Sequence, residues 1–527
     1  MSAGPGLRVA LTGGLLLGFA TPPALLPFGE WLVLPALAIW FGVAVDGRRP
    51  GLHSYLFGCA HMAWFSWSVR HVMLPAYLAI VFVGGLYYLL ATKCVRSAPR
   101  RLRGAGFGVA VAGAFWLRAV MPDIHYPHGQ PCHCLYEWPT LMRAAVVGGE
   151  PLFNASLAWI AAAGYGMWAS WRTAQPSWRS ASARFVGATG LLVALAVLGN
   201  VVSSAAMPPP ELDDRARTLR VTAIEPGFHP DEIRAVPPSQ RGAWSERMLE
   251  QRLLEPTRLA LRADPAPDLV LWPESSVGRA LSVDRIDRGR ASLLTGRLPA
   301  VTAQLVVGAN VIRERRLTPS ALQLELPSGR VLGHHDKQRL VPGGEFLPWI
   351  HWLPEAWSAW LKGQFAAAMG SLPDCAPGQE RPPMLTPSGA PFGALLCYDN
   401  AFPGPAAGQV EQGAELLVVL SNEAWYRGGG ELSQLEAMTV VRACENVVPI
   451  VRCTMDGRSV WVDASGVIRG ALPLAAAPQA EARTLSVSLQ RGAGKPPALS
   501  WLRRLSGPAC GLATAIMALL MLVGLRR

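Results

Sequence analysis

Residues 393–402 read GALLCYDNAF, an apolar run that ends at a cysteine and is followed by turn-forming polar residues. This pattern is typical of a strand that stops at the edge of a sheet. Free cysteines are among the most buried residues, so Cys397 has an ordinary explanation as a small buried hydrophobe. The alternative is a nucleophile that the strand presents at its end. Other parts of the sequence are needed to distinguish a structural cysteine from a nucleophile.

Two other apolar runs end in an ionisable residue in the same way. Glu274 follows LVLWP, and Lys337 follows VLGHHD. Taken singly, the first is explained as a turn or cap residue and the second as a solvated surface group. Together with Cys397 they form a set in which a carboxylate takes the thiol proton. The ammonium lowers the thiol pKa and stabilises a developing oxyanion. The set therefore favours nucleophilic catalysis.

The polar block around these residues, from about 208 to 499, alternates strand-like and helix-like stretches. RTLRVTAIEPGF opens the block as a strand, and residues 245–262 and 431–446 read as helices. Further strand-like runs are PDLVLWPES, QLVVGANVI, ALQLELPSGRVLGHHDK, FGALLCYDN, ELLVVLSNEAW, VVPIVRCTMDG and RSVWVDASGVI. Strands that alternate with helices predict a layered α/β fold.

The composition of the whole chain indicates a membrane protein. Hydrophobic residues make up 51% of the 527 residues and charged residues only 16%, and the mean hydropathy is +0.25. These values are high for a soluble protein. The formal charge is +12, but the basic residues flank apolar segments and no nucleic-acid-binding motif is present. We interpret the charge as membrane topology and contact with anionic lipid, not as nucleic-acid binding.

Eight apolar segments are long enough, or nearly so, to be membrane spans, for which roughly 20 residues are needed. They are Leu7–Leu26, Trp31–Val45, Leu52–Val69, Met73–Thr92, Gly104–Met121, Val147–Ser170, Phe185–Ala206 and Pro508–Leu525. They predict a seven-span helical domain over residues 1–206, a catalytic domain over 207–499 and a C-terminal transmembrane helix over 500–527.

Basic residues set the orientation of these spans. With eight spans, all of the basic clusters fall on one side of the membrane, which the positive-inside rule makes cytoplasmic. The clusters are Arg48 and Arg49, residues 93–103, residues 172–184, and Arg526 and Arg527. The polar block is then extracytoplasmic.

Several motifs in this order resemble one known family. LWPES around Glu274, DKQRLVPGGEFLP around Lys337 and Glu345, CYDNAFP at Cys397, SNEAWY at 421–426 and MTVVRACENVVPIVRCTMDG at 438–457 are similar to the nitrilase superfamily of carbon–nitrogen hydrolases. With eight flanking spans, the chain specifically resembles the apolipoprotein N-acyltransferase family.

The resemblance implies an αββα sandwich on a helical membrane base in the bacterial inner membrane, with the catalytic domain on the periplasmic side. It implies that Cys397 is the nucleophile, Glu274 the general base and Lys337 the oxyanion stabiliser, with Glu345 orienting the lysine. It places Tyr398, Trp425 and Tyr426 as substrate-binding residues by the acyl chain.

The implied reaction is an acyl exchange without a cofactor or metal. Cys397 takes the sn-1 acyl chain of a phospholipid as a thioester, and the α-amine of a diacylglyceryl-cysteine at a lipoprotein N-terminus then accepts it. Two alternatives remain open: a membrane-anchored amidase with water as acceptor, and a catalytically silent lipid-binding scaffold.

Four positions depart from the family pattern. Asp399 stands where the family has glutamate, Gly343 where it has an aromatic residue, Glu423 where it has aspartate, and Met455 where it has asparagine. These departures are compatible with acyl-thioester chemistry. They also leave a further alternative, a divergent paralogue that uses another acyl donor or acceptor.

A dense group of histidines and cysteines, DIHYPHGQPCHC at 123–134, lies between the fifth and sixth segments. Such density is typical of a metal site, whereas the family resemblance implies a substrate-facing loop without metal. Glu150, in or beside the sixth segment, either lines a cavity or ends a helix. Cys444 and Cys453 read as core residues, and a catalytic Cys397 has to stay unpaired.

Overall fold

A computed structural model describes residues 6–24, 26–173, 178–207, 218–277, 281–282, 292–313, 316–369, 372–474 and 481–524. Its helices are α1 (Leu7–Ala20), α2 (Val33–Asp46), α3 (Pro50–Phe65), α4 (Val69–Val72), α5 (Leu74–Ser97), α6 (Arg103–Val120), α7 (Pro139–Met142), α8 (Ala145–Arg172), α9 (Trp178–Ala206), α10 (Pro230–Ala235), α11 (Arg241–Leu249), α12 (Glu255–Leu261), α13 (Ser292–Thr295), α14 (Glu355–Met369), α15 (Pro403–Glu411), α16 (Glu431–Asn446) and α17 (Ser500–Gly524). The strands are β1 (Thr218–Glu225), β2 (Leu269–Trp272), β3 (Leu281–Ser282), β4 (Gln304–Arg313), β5 (Arg316–Glu325), β6 (Val331–Asp336), β7 (Met384–Leu385), β8 (Pro391–Leu396), β9 (Leu416–Ser421), β10 (Ile450–Thr454), β11 (Val460–Val462), β12 (Ile468–Ala471) and β13 (Arg483–Gln490).

The strands form two mixed sheets. The first has the order β13-β1-β2-β4-β5-β6, with β3 paired to β4, and the second has the order β12-β11-β10-β9-β8-β7. The catalytic-domain runs predicted as strands therefore all contribute strands, and the two predicted helices are present as α11–α12, joined by a π-helical turn at Glu250–Leu254, and as α16.

Alternate residues of a strand point to opposite faces of its sheet. The two sheets pack against each other through the faces that carry one apolar set. In β8, Phe392, Ala394 and Leu396 join the core between the sheets, whereas Leu395 joins the cluster on the other face, which includes residues of α15 and α16. On the far side of the first sheet, Leu253, Leu254 and Leu261 of the α11–α12 segment pack on β2 and β4. This layering is the predicted αββα sandwich.

Eight helices coincide with the eight apolar segments: α1, α2, α3, α5, α6, α8, α9 and α17. By length and hydropathy, four stretches of the described residues could cross a membrane: Gly29–Asp46, Leu74–Ser97, Arg179–Ala206 and Ser500–Met521. At 14 and 16 residues, α1 and α3 are shorter than the roughly 20 residues of a full span. The structure thus supports a helical region with four candidate spans, fewer than the eight predicted.

Helix α8 is broken near its start, where it meets the sandwich. Gly149 has φ 63, and Pro151 follows within the helix. Between them, the buried Glu150 carboxylate lies 2.7 Å from Arg442 of α16 and 2.8 Å from His133. Arg442 also pairs with Glu445 at 3.1 Å. Glu150 is therefore an ionic joint between the helical region and the sandwich, and it lies beside a cavity of about 370 Å³ that it helps to line.

The first prediction concerns this joint. Replacing Glu150 by Ala leaves the guanidinium of Arg442 buried with one carboxylate partner instead of two, and breaking a buried pair from one side costs about 3–5 kcal/mol. We expect a clear fall in the thermal unfolding midpoint of the purified protein in detergent. The control is Glu137→Ala, since the Glu137 side chain is exposed. Equal unfolding midpoints for the two variants would show that the joint does not stabilise the protein.

Candidate active site

The three predicted strand ends meet at one edge of the sandwich. Cys397 directly follows β8, Lys337 directly follows β6, and Glu274 lies two residues beyond β2. Because β2 and β6 belong to one sheet and β8 to the other, face-to-face packing of the sheets brings the three residues together. The strands position them: β2 and β8 are buried along nearly their whole length, and β6 is buried at its last two residues, His335 and Asp336.

Lys337 is the centre of the site. Its Nζ donates a hydrogen bond of 2.9 Å to Glu274 and one of 2.7 Å to Glu345, and its side chain is 1% exposed. Burial by itself lowers the pKa of Lys337, but the two carboxylates, with Cys397, raise the pKa well above its usual range. Lys337 is therefore a fixed positive charge at neutral pH.

Glu345 holds the lysine from the side of the loop that follows it. One carboxylate oxygen accepts the hydrogen bond from Lys337, and the other accepts one of 2.8 Å from the backbone N–H of Val341. The turn between them contains Gly343, whose φ of +77 lies in the left-handed region that favours glycine. The departure from the family's aromatic residue at this position thus suits the turn that carries Glu345.

Cys397 is partly exposed and unpaired, and its backbone has φ 44. Positive φ is uncommon for a residue with a Cβ, and such strain clusters at functional sites. Burial first, and then the Glu274 carboxylate, raise the pKa of the Cys397 thiol to about 11, while Lys337 and the Ser421 hydroxyl act in the opposite direction. The thiol is therefore protonated at neutral pH and needs a base to become a nucleophile.

Glu274 has the geometry of such a base. Burial raises the pKa of Glu274, whereas Lys337 and a hydrogen bond with the Cys397 thiol lower it. Its carboxylate is hydrogen-bonded to Lys337, the charge that stabilises the product of proton transfer, and it interacts with the thiol that gives up the proton. This arrangement can activate the thiol and stabilise an oxyanion, which is the chemistry of acyl transfer or amide hydrolysis.

Asp399 connects the lysine segment to the nucleophile segment. One carboxylate oxygen accepts hydrogen bonds from the backbone N–H groups of Gln338 (3.0 Å) and Arg339 (2.7 Å), and the other accepts one from Leu396 (3.1 Å). Three main-chain donors that flank Lys337 and Cys397 are thereby held on one buried side chain. We call these three hydrogen bonds to Asp399 the Asp399 clamp. The sequence shows Asp399 as a departure from glutamate, but it does not indicate the clamp.

The three aromatic residues predicted to bind substrate lie in different settings. Tyr398 is buried, and its hydroxyl donates a 2.8 Å hydrogen bond to the backbone carbonyl of His125. Tyr426 is partly buried against the cluster that contains Tyr398 and Phe402, while Trp425 is 44% exposed. Their roles in substrate binding stay a prediction.

The histidine- and cysteine-rich loop packs against the sandwich. His133 contacts Glu150, and a ring nitrogen of His125 lies 3.0 Å from the Leu340 carbonyl. In the parts of the chain that the structure describes, no group of three or more His, Cys, Asp or Glu residues could hold a metal ion. Cys132 and Cys134 are free thiols.

The remaining departures lie in main-chain and buried contacts near the site. Met455 is buried and exchanges main-chain hydrogen bonds with Ser421 (2.9 Å) and Gly227 (2.8 Å). Glu423 is buried in an ion pair with Arg452. The approach of Arg452 to the Ser421 hydroxyl at 3.4 Å, next to Cys397, was not predicted from the sequence.

The chain is similar in sequence to one family profile and to several known proteins. Residues 238–494 match the profile of the carbon–nitrogen hydrolase family. An apolipoprotein N-acyltransferase of Sinorhizobium medicae is 25% identical over 506 residues, covering 87% of this chain and 86% of that protein. One of Geobacter metallireducens is 32% identical over 237 residues, which is 44% of this chain and less than half, 43%, of that protein.

Among solved structures, the chain is similar to an amidase from Nesterenkonia sp., with 19% identity and a TM-score of 0.37. The match covers 56% of this chain and 99% of the amidase.

The second prediction concerns the Asp399 clamp. Burial raises the pKa of Asp399 to about 7, against the opposing effect of Lys337 and its main-chain donors. A carboxyl whose pKa is higher in the folded than in the unfolded protein stabilises the fold fully at low pH, and that contribution is lost as the pH rises. We therefore expect the stability of the wild type, relative to that of Asp399→Asn, to fall between about pH 4 and pH 7. Denaturation of both proteins across this range measures it, and a constant difference would contradict the assignment.

Proposed function

Because this chain belongs to the apolipoprotein N-acyltransferase family of the carbon–nitrogen hydrolase superfamily, we propose that it transfers an acyl chain from a phospholipid to the N-terminal diacylglyceryl-cysteine of lipoproteins. The observation that carries the proposal is the buried Lys337 ammonium, held between the carboxylates of Glu274 and Glu345 beside a free Cys397. No other cluster is needed for either half of the reaction.

In the first half-reaction, Glu274 accepts the thiol proton as the Cys397 sulfur attacks the sn-1 ester carbonyl. Lys337 stabilises the oxyanion of the tetrahedral intermediate. The intermediate collapses when the ester oxygen leaves as a lysophospholipid hydroxyl, which takes the proton back from Glu274. The enzyme is left with a thioester. Losing one oxyanion donor of this kind costs about 10²–10³-fold in rate.

In the second half-reaction, the free α-amine of the acceptor attacks the thioester carbonyl. Glu274 removes a proton from the amine, the Cys397 sulfur leaves, and it recovers the proton from Glu274. General-base assistance of this kind contributes about 10²–10⁴-fold. Tyr398, Trp425 and Tyr426 are proposed to contact the acyl chains. Both substrates are lipids, which accounts for a helical region larger than a single anchor.

We propose that all eight helices that match apolar segments are spans, with residues 207–499 as the catalytic domain on the periplasmic side of the bacterial inner membrane. The short helices α1 and α3 would then cross with their flanking loops. Support comes from the basic clusters, which follow two, four, six and eight spans and therefore all lie on one side of the membrane.

The third prediction is an acyl thioester on Cys397. Incubation of the purified protein with phospholipid should add one acyl mass to the peptide that contains Cys397, and neutral hydroxylamine should remove it. Cys375→Ser, which changes a neighbouring free thiol, should keep the adduct. If Cys397→Ser still carried a hydroxylamine-labile acyl group, the nucleophile would have to be another residue.

The fourth prediction separates a transferase from an amidase-like hydrolase. A transferase has to keep water from its thioester until an amine arrives. With phospholipid alone, we expect the acyl-enzyme to accumulate and free fatty acid to appear slowly. A diacylglyceryl-cysteine peptide with a free α-amine should discharge the enzyme, and the same peptide with a blocked amine should not. Steady fatty-acid release that ignores the peptide would favour the hydrolase.

The fifth prediction concerns topology. An impermeant reagent applied to intact cells should label a tag near Ser388, which is exposed in the turn between β7 and β8. It should not label a tag near Arg100, between α5 and α6. Labelling of the Arg100 loop from outside would overturn the proposed eight-span arrangement.

A further inference from the structure

A buried charged network next to the nucleophile takes no part in the steps above. It begins at Ser421, the last residue of β9. In the parallel pairing of β8 with β9, Leu396 lies opposite Leu420. The next residues, Cys397 and Ser421, therefore lie side by side at the ends of the two strands, and the Ser421 hydroxyl acts to lower the pKa of the thiol.

Behind Ser421 lies an ion pair that is fully buried. Glu423 and Arg452 pair with 0% exposure of either side chain. The Ser421 hydroxyl donates a 2.8 Å hydrogen bond to Glu423, and Arg452 approaches the same hydroxyl at 3.4 Å. One serine hydroxyl is thus held between the sulfur and a charged pair, and its rotation is restricted to those partners.

The network also reaches the turn that follows the nucleophile. Arg452 donates a 3.2 Å hydrogen bond to Thr439 of α16, and the same threonine oxygen accepts a 2.9 Å bond from Asn400. A Cβ on Gly457 would lie 2.6 Å from the Glu423 carboxylate, so the backbone there closes over the pair. Burying two charges costs several kcal/mol in desolvation. A site that retains such a pair next to its nucleophile gains a fixed position for the groups that the pair contacts, here the Ser421 hydroxyl.

We propose that Ser421 is a second catalytic hydrogen-bond donor to the sulfur of Cys397, and that Glu423 and Arg452 are the positioning residues that hold its hydroxyl there. The role of this donor in acyl transfer rests on the proposed function, whereas its test by thiol alkylation does not. While the sulfur carries its proton, S–H donates to the Ser421 oxygen and the serine donates to Glu423. When Glu274 has taken that proton, the serine hydroxyl turns and donates to the thiolate.

The turn costs Glu423 one hydrogen bond, and its Oε1 keeps the ion pair with Arg452 while the hydroxyl points at the sulfur. No covalent bond changes, and the proton stays on Glu274. The thiolate is then stabilised from two sides, by Lys337 and by Ser421. The same donor would stabilise the sulfur as it leaves in the second half-reaction. The glutamate at position 423, one methylene longer than the family's aspartate, makes the contact with Ser421.

The test is alkylation of Cys397 in the full-length protein, which needs no lipid and so stands whether or not acyl transfer occurs. Short pulses of iodoacetamide between pH 7 and pH 11, followed by mass spectrometry of the peptide with Cys397, give its rate. Ser421→Ala and Ser421→Gly should each slow alkylation about tenfold at neutral pH, since hydrogen bonds to charged groups are the stronger ones. The difference in alkylation rate between the wild type and these variants should shrink as the pH approaches 11. Stabilising the thiolate raises the rate only while most of the thiol is protonated.

A matched control is Ser459→Ala. Ser459 is equally buried and donates a 2.6 Å hydrogen bond to the carboxylate of Glu225, so its loss removes a similar pair away from the thiol. It should alkylate at the wild-type rate. Alkylation of Ser421→Ala at the wild-type rate, an equal slowing in Ser459→Ala, or a deficit that is the same at every pH would each overturn the proposal.

A double-mutant cycle tests the positioning role. Replacing both members of the pair, as Glu423→Gln with Arg452→Met, avoids leaving one buried charge alone. The double variant should slow alkylation in the wild-type background and add little in the Ser421→Ala background, because it acts through the serine. Equal slowing in both backgrounds would show that the pair does not work through Ser421.

Discussion

The site depends on one constraint: a lysine ammonium buried between two carboxylates next to a thiol. Lys337 loses nearly all of its water, and only the hydrogen bonds to Glu274 and Glu345 make that burial tolerable. The same charge makes an ionised Glu274 and an attacking sulfur compatible in a site that otherwise favours their neutral forms. The surrounding structure keeps this arrangement: Asp399 holds the main chain on both sides, and Glu345 ties the lysine to its own loop.

The sandwich explains why these groups meet. Each comes at or near the end of a strand, and two sheets with their faces packed together present those ends at one edge. The runs before Cys397, Glu274 and Lys337 were enough to predict their strands and the set of three residues, and the alternation of strand-like and helix-like stretches was enough to predict the layered fold. These features depend on local pattern, since a strand of four to six residues is recognisable from its own sequence and fixes the position of the residue that follows.

What the sequence did not reveal depends on contacts between distant parts of the chain. Asp399 reaches backbone groups about 60 residues away, and Glu150 reaches Arg442 across 292 residues. No local pattern marks such partners. The structure supports the predicted span count only in part, for a related reason: hydropathy finds apolar segments, but helix ends are set by packing, and α1 and α3 end earlier than their apolar segments. The metal site weighed as an alternative at 123–134 rested on composition alone; in the structure, His133 contacts Glu150 and His125 contacts the Leu340 carbonyl.

The central claim is that the charge of Lys337 makes Cys397 an acyl acceptor. The most direct measurement is the single-turnover rate of thioester formation from phospholipid in the wild type and in Lys337→Met, by rapid quenching and mass spectrometry. Circular dichroism of both proteins would establish that the fold is retained. The account predicts that Lys337→Met forms the thioester about 10²–10³-fold more slowly. Thioester formation at the wild-type rate in a folded Lys337→Met protein would contradict it.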